Sequence, residues 1–378
     1  MADRTNPLPV VKAGMRELTE RRRAMAEGRL GGGILVSIEA IKNPPPGGPD
    51  VRALRQALGI PKVGQEAAGP PPVEKAIDAQ IAQYGALIDV PDDKLPCMSW
   101  IERYGQALPC ALLGKPIRYF SVGQTTSSEV RTREASLDAL MDFEFDKDSP
   151  LLNEILAGAA RGQAHGAGRC YMSTFLCRGG MAVMTQFLGY ERAFLELCDR
   201  PDEAHAFFRK VMEMEICFTE RQFEAIGPVE GGWVCERFDW CPAQCIGFNL
   251  DDFILCANEM FLEFGLPYYQ AMADRFGYGV LHYHTPDMRL MKAAARMKNV
   301  AVQVGVDPKL PLPWQRLDEI KAACGDMPIT WMRIPRDEFL RRLKEGRLPG
   351  NVEYCISDAI DLDDARRLAE MGRSYQAR

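Results

Sequence analysis

Apolar residues fall into two alternating rhythms along the second half of the chain. Short, dense runs rich in Val, Ile and Leu suit buried strands, and between them lie longer stretches with the spacing of an amphipathic helix. Gly232-Trp233-Val234-Cys235-Glu236 predicts a strand, and residues 257–276 a helix closed by Gly277. A strand over Gly279-Val280-Leu281-His282-Tyr283-His284 follows. Thr285 then suits an N-cap, with Pro286 at the first helical position and Asp287 near the positive helix end. The alternation continues with strand 300–306, helix 313–324, strand 328–334, helix 336–345, strand 352–356 and helix 361–373.

The first half is less regular. Residues 10–29 have helical spacing, and their basic run Arg21-Arg22-Arg23 reads as a solvated face. Gly31-Gly32-Gly33 precedes a first strand, Ile34-Leu35-Val36-Ser37-Ile38. Pro/Gly-rich segments at 43–49 and 69–72 punctuate residues 43–115, which read as an insertion of short helices and loops. Strands are predicted over 117–121 and 169–173, with a helix over 149–166 between them. Helices over 181–227 are interrupted at Asp199-Arg200-Pro201.

Eight strands separated by helices imply parallel pairing and closure into a (β/α)8 TIM barrel of the α/β class. The whole chain, 1–378, then forms one barrel domain, with 1–29 as a helical N-terminal extension and 43–115 as the insertion after the first strand. An open doubly wound sheet is the competing architecture, but no glycine-rich phosphate turn follows any strand.

Composition narrows the function classes. Hydrophobic residues make up 47% and charged residues 26%, which is globular, and a net charge of −6 argues against nucleic acid as a partner. No apolar run approaches the roughly 20 residues of a membrane helix. The start, Met1-Ala2-Asp3-Arg4, lacks the layout of a signal peptide, so a cytoplasmic location is expected. The 12 cysteines, spread from Cys97 to Cys355, are accordingly expected as reduced, mostly buried thiols.

A barrel enzyme assembles its site at the C-terminal strand ends. That rule selects Glu236, Asp239, His282, His284, Gln303, Asp307, Arg333 and Cys355. Residues two apart on a strand share a face, so His282 and His284 point together and are able to share one metal ion. Cys355, near the tip of the last strand, is a candidate third, thiolate ligand, and Glu236 or Asp239 a fourth ligand or general base. The same histidine pair also suits hydrogen-bonded structural roles or contacts to an organic substrate. Cys241 and Cys245 lack a second pair and read as core or loop; Asp251-Asp252 reads as a helix start, and His165 and His205 receive no role.

Several segments resemble the uroporphyrinogen decarboxylase superfamily, and within it the zinc-dependent methyltransferases that serve coenzyme M and corrinoid proteins. They are Leu137-Asp138-Ala139-Leu140 with Phe143-Glu144-Phe145-Asp146, Phe187-Leu188-Gly189-Tyr190-Glu191 with Asp199-Arg200-Pro201-Asp202, and Glu259-Met260-Phe261-Leu262-Glu263-Phe264 leading to Leu266-Pro267-Tyr268-Tyr269. Leu281-His282 and Val302-Gln303-Val304-Gly305-Val306-Asp307-Pro308 complete the likeness. It implies zinc held by a His-x-Cys pair and a distant Cys. Here those positions are His282, His284 in place of the first Cys, and Cys355. The arginine-rich N-terminal motif of the decarboxylase itself is missing, and no arginine cluster is visible in the sequence.

The expected activity is therefore methyl (alkyl) transfer at zinc, between a methylcorrinoid on a partner protein or another methylated donor and a thiol or corrinoid acceptor. Glu236 or Asp239 would take the thiol proton. The alternative is a metal-free, decarboxylase-like or organic-acid-binding barrel in which the two histidines contact a carboxylate.

Overall fold

The computed structural model describes residues 12–43, 58–122, 125–284, 287–307 and 310–377. The Thr285-Pro286 helix start, Pro308 and most of the first Pro/Gly-rich segment lie outside them. Strands follow the order β1 (Ile34–Ile38), β2 (Glu66–Ala67), β3 (Cys97–Met98), β4 (Ile117–Val122), β5 (Thr125–Val130), β6 (Tyr171–Met172), β7 (Trp233–Cys235), β8 (Asp239–Cys241), β9 (Gln244–Asn249), β10 (Gly277–Tyr283), β11 (Val300–Val304), β12 (Ile329–Arg333) and β13 (Val352–Ile356).

Six of these form one parallel sheet, ordered β1-β13-β12-β11-β10-β9. β1, β11 and β13 are buried along their whole length, as strands covered on both faces must be. Helices cross over between successive strands. The last of them, Leu362–Ser374, lies so close on β1 that a Cβ at Gly372 would meet Val36 Cγ2 at 2.2 Å. Glycine there permits the approach.

β3 and β6 form a separate parallel pair, and the chain before β3 and after β6 bonds the two edge strands of the larger sheet. On one side the Asp93 N–H donates to Val36 O (2.8 Å), and the Asp93 carboxylate accepts from Val36 N–H (2.8 Å). On the other, Cys177 N–H donates to Gly247 O and Asn249 N–H to Cys177 O, both at 2.9 Å.

The second-half elements agree closely with the sequence pattern; helix Arg336–Glu345 has the predicted bounds, and residues 258–276 split into two helices at Gly265. Two predicted sheet strands are placed elsewhere. Residues 117–122 form an antiparallel ribbon with β5 and β2, not a sheet strand. Their alternation of half-exposed positions is that of a one-sided ribbon. Residues 233–235 pair antiparallel with β8, and the sheet strand is the following β9. β3, inside the supposed insertion, was too short to show a pattern.

The basic run also departs from expectation, because only part of it is solvated. Helix Met15–Ala26 buries Met15, Leu18, Arg22 and Met25. Arg22 is fully buried, with Glu353 (Nη2–Oε1 2.5 Å; Nη1–Oε2 2.9 Å) and Asp239 (3.0 Å) as partners. Burial lowers the pKa of this guanidinium, but the two carboxylates outweigh that effect and raise it above its ordinary value. Lys94 completes the cluster at 3.0 Å from Asp239.

Replacing Arg22 with Met should strand two buried carboxylates beside a single lysine. The expected loss is about 3–5 kcal/mol of folding stability, read by denaturant unfolding. A variant within about 1 kcal/mol of the parent would show that the cluster is not held by Arg22.

Candidate functional site

β10 lies between β11 and the edge strand β9, and its register fixes what stands beside it. His282 pairs with Gln303 on β11 and with Asn249 on β9. Parallel neighbours in register point to the same side, so the His282 ring meets the Gln303 amide, and its Nδ1 contacts Oε1. Arg237 Nη1 donates to the same oxygen at 3.3 Å. A guanidinium only donates, which identifies that atom as the amide oxygen and makes His282 Nδ1 the donor. The lone pair of His282 is therefore on Nε2.

His284 reaches the same state by another route. Its Nδ1 lies 2.9 Å from Asp307 Oδ1, so Nδ1–H donates to the carboxylate and Nε2 is again left with its lone pair. Gly305 makes room for the ring: a Cβ there would lie 2.7–2.8 Å from three of its atoms. The two imidazoles stand edge to face, 4.9 Å apart.

The third member is Asp251, just beyond β9. Its Oδ1 accepts the His284 backbone N–H at 2.9 Å. Ligand atoms of Asp251, His282 and His284 all lie within 4.8 Å of one another, the one group of three or more His, Cys, Asp or Glu side chains so placed among the described residues. Two neutral imidazoles and a carboxylate form a donor set suited to a divalent ion with positions left for substrate. Burial, helped by Arg237, holds the His282 pKa well below its ordinary value, so the ring is neutral at pH 7. Burial pushes the Asp251 carboxyl up, against the His284 N–H that it accepts.

The sequence-selected residues divide here. His282 and His284 come together as expected, with Gln303 and Asp307 as the groups that orient them. Cys355 is not in the group. It sits on β13 next to Ser37 and Arg333, and burial beside Glu353 and Glu39 raises its thiol well above the ordinary range. Asp239 is fully buried, with its oxygens on Arg22, Lys94 and the Leu95 N–H. Those contacts leave it no access to substrate. Cys241 and Cys245 lie in an apolar cluster with Cys235, Phe238 and Tyr278. His165 bonds Asp78, and His205 bonds Tyr268. Asp251 itself was read only as a helix start, which it also is.

Glu236 lines a cavity of about 560 Å³ at the C-terminal strand ends. The same cavity is lined by Lys94, Arg103, Arg178, Arg237 and Arg333, and by the carboxylates of Glu39 and Glu102. Burial raises the Glu236 carboxyl, opposed chiefly by Arg237. Arginines far apart in sequence thus meet in space, which the linear sequence did not reveal.

Arg178 is oriented from behind. Glu215, on helix Pro201–Ile226, accepts the backbone N–H groups of Arg178 (2.7 Å) and Gly179 (3.1 and 3.2 Å). Burial nonetheless pushes its carboxyl up to about 7.

The sequence matches no protein-family model and no curated protein.

Two outcomes follow from this geometry. Gly305→Ala should push the His284 ring aside and weaken divalent-ion binding about ten-fold or more, measured by competition with a chelating dye, whereas Cys355→Ser should leave that affinity unchanged. The second concerns Glu215, whose folded pKa stands above the unfolded value. Its contribution to stability is full below about pH 4.5 and is lost as pH rises through about 7. Unfolding measured at pH 5 and pH 8 should therefore differ by roughly 2–3 kcal/mol from this group, and Glu215→Gln should remove that difference.

Proposed function

We propose that this chain is a metal-dependent methyl (alkyl) transferase, with the ion held by His282, His284 and Asp251. The observation that supports it best is the triad itself: two imidazoles, each with Nε2 left as the lone-pair nitrogen by an outer partner, converging with a carboxylate beyond the ends of parallel strands. The architecture proposed with it is a closed (β/α)8 barrel in which β3 and β6 complete the ring between β1 and β9. The likeness of Leu281-His282 and Val302–Asp307 to the zinc methyltransferases of the uroporphyrinogen decarboxylase superfamily supports the choice of reaction.

Zinc suits the donor set, and when bound it would supply a Lewis acid that lowers the pKa of a substrate thiol from about 8.5 toward neutrality. The protein's own groups do the rest. Gln303 and Asp307 fix the rings, and Glu236, whose carboxyl burial raises above its ordinary value, takes the thiol proton. The thiolate sulfur then bonds the methyl carbon of a methylcorrinoid or other methylated donor. The old bond to that carbon breaks with its electron pair left on the donor.

A second reading is favoured by the arginines: a metal-free barrel that binds or decarboxylates an organic acid. The two separate on one preparation. Purified protein should carry about one zinc per chain, and His282→Ala and Asp251→Ala should lose both the metal and about 100-fold or more of thiol-dependent demethylation of methylcobalamin. Metal-free protein, or triad variants with parental activity, would overturn the transferase reading and leave the second.

A further inference from the structure

The cavity beside the triad holds more guanidinium than its own carboxylates answer. Arg178 is 4% exposed and Nη2 binds Glu102 at 2.5 Å, yet its Nε has no hydrogen-bond partner. Arg103 donates only to Thr125, at 3.3 Å, and Arg237 only to Gln303. Among the described residues neither has a carboxylate within ion-pair distance, and the Nε of each is buried and also unpartnered. Buried N–H groups of this kind are rare in folded proteins because each forfeits its hydration.

The surrounding charges do not cancel the surplus. Arg333 is answered by Glu39 at 3.3 Å, and Lys94 by Asp239 beneath the cavity floor. Glu236 is the remaining carboxylate, set against both Arg103 and Arg237. One carboxylate thus stands against two guanidiniums that have no ion-pair partner, so one negative charge is still lacking, and burial of Arg103 adds to that need.

From these we propose that the cavity contains a subsite for the oxyanion end of a small ligand, formed by Arg103, Arg178 and Arg237. Two oxygens of a carboxylate, sulfonate or phosphate accept two parallel N–H bonds from one guanidinium, so the three unpartnered Nε atoms, together with the unanswered positive charge, suit a group of that class better than a neutral one. A volume of about 560 Å³ limits the ligand to a small molecule. The subsite is joined to the triad, because Arg237 and His282 meet at the same Gln303 oxygen. The ligand's anionic end therefore lies next to its reacting end. This identifies the substrate class for the transferase reading and rests on that reading only for what happens at the other end.

Calorimetric titration of the full-length protein tests it, with malonate, methanesulfonate and inorganic phosphate as probes and malonamide as the neutral control. Saturable binding of at least one anion is expected, with none for malonamide. Arg103→Gln and Arg237→Gln should each weaken it about ten-fold or more. Zinc content and the unfolding midpoint should stay at parental values in Arg103→Gln. Repeating the titration on chelator-treated protein separates the two ideas, since the arginine subsite should persist when the metal is gone. Equal affinity in parent and both variants, binding of malonamide as strong as malonate, or no binding of any anion would each overturn the subsite. The anion with the lowest Kd indicates which oxyanion the ligand carries.

Discussion

The Arg22 guanidinium ties together four segments that are far apart in sequence. It reaches from the N-terminal helix to Glu353 on β13 and Asp239 on β8, donates to Ser37 on β1, and binds the Asp93 carbonyl. Asp93 in turn bonds Val36, which is how the chain from the first half is fastened alongside β1. Buried ion pairs add little net stability compared with apolar packing, but they are intolerant of rearrangement, since any shift strands a charge. The strand ends beyond this cluster inherit that fixity. Lys94, pinned to Asp239 and over the Trp331 ring at 4.2 Å, is where the structural cluster gives way to the cavity.

Above that base, the geometry of the triad depends on register. Pairing His282 with Gln303 and Asn249 brings three side chains into one row, and the residues just past each strand complete the site: His284 after β10, Asp251 after β9, Asp307 after β11. A slip of one residue in any of these strands would turn its side chains to the other face and separate the ligands from the groups that orient them. Gly305 is the fine adjustment, the one described glycine at which a Cβ would occupy the space of the His284 ring.

What the sequence disclosed follows from this dependence. The β10–β13 half was readable because each strand is a buried run followed by a well-patterned helix, and the histidine pair followed from alternation alone. Asp251 is hidden in the sequence because the apolar run before it, 232–236, has a strand pattern but forms a ribbon, while the sheet strand is the following β9. Cys355 looked like a ligand because it sits on a strand tip, but distance across a sheet is not encoded in position along it. The arginine group was invisible for the same reason, its members coming from residues 103, 178 and 237 on separate loops and helices. Arg22 was misjudged because a run of three arginines reads as surface unless partners for one of them are known.

The exchange of Asp251 for a cysteine ligand bears on the chemistry proposed for the centre. Two neutral imidazoles and one carboxylate offset a single unit of a divalent ion's charge, where a site with two thiolates offsets both. A carboxylate oxygen is also a harder, less electron-releasing donor than sulfur. A thiol approaching such a centre ionises more readily, while the resulting sulfur is a poorer nucleophile than in a sulfur-rich site. That balance favours a partner methyl group bound to a good leaving group. On the proposed reading it would also give the surrounding arginines a second use: by holding the anionic end of the ligand beside the ion, they would let binding energy position the sulfur and offset its lower reactivity.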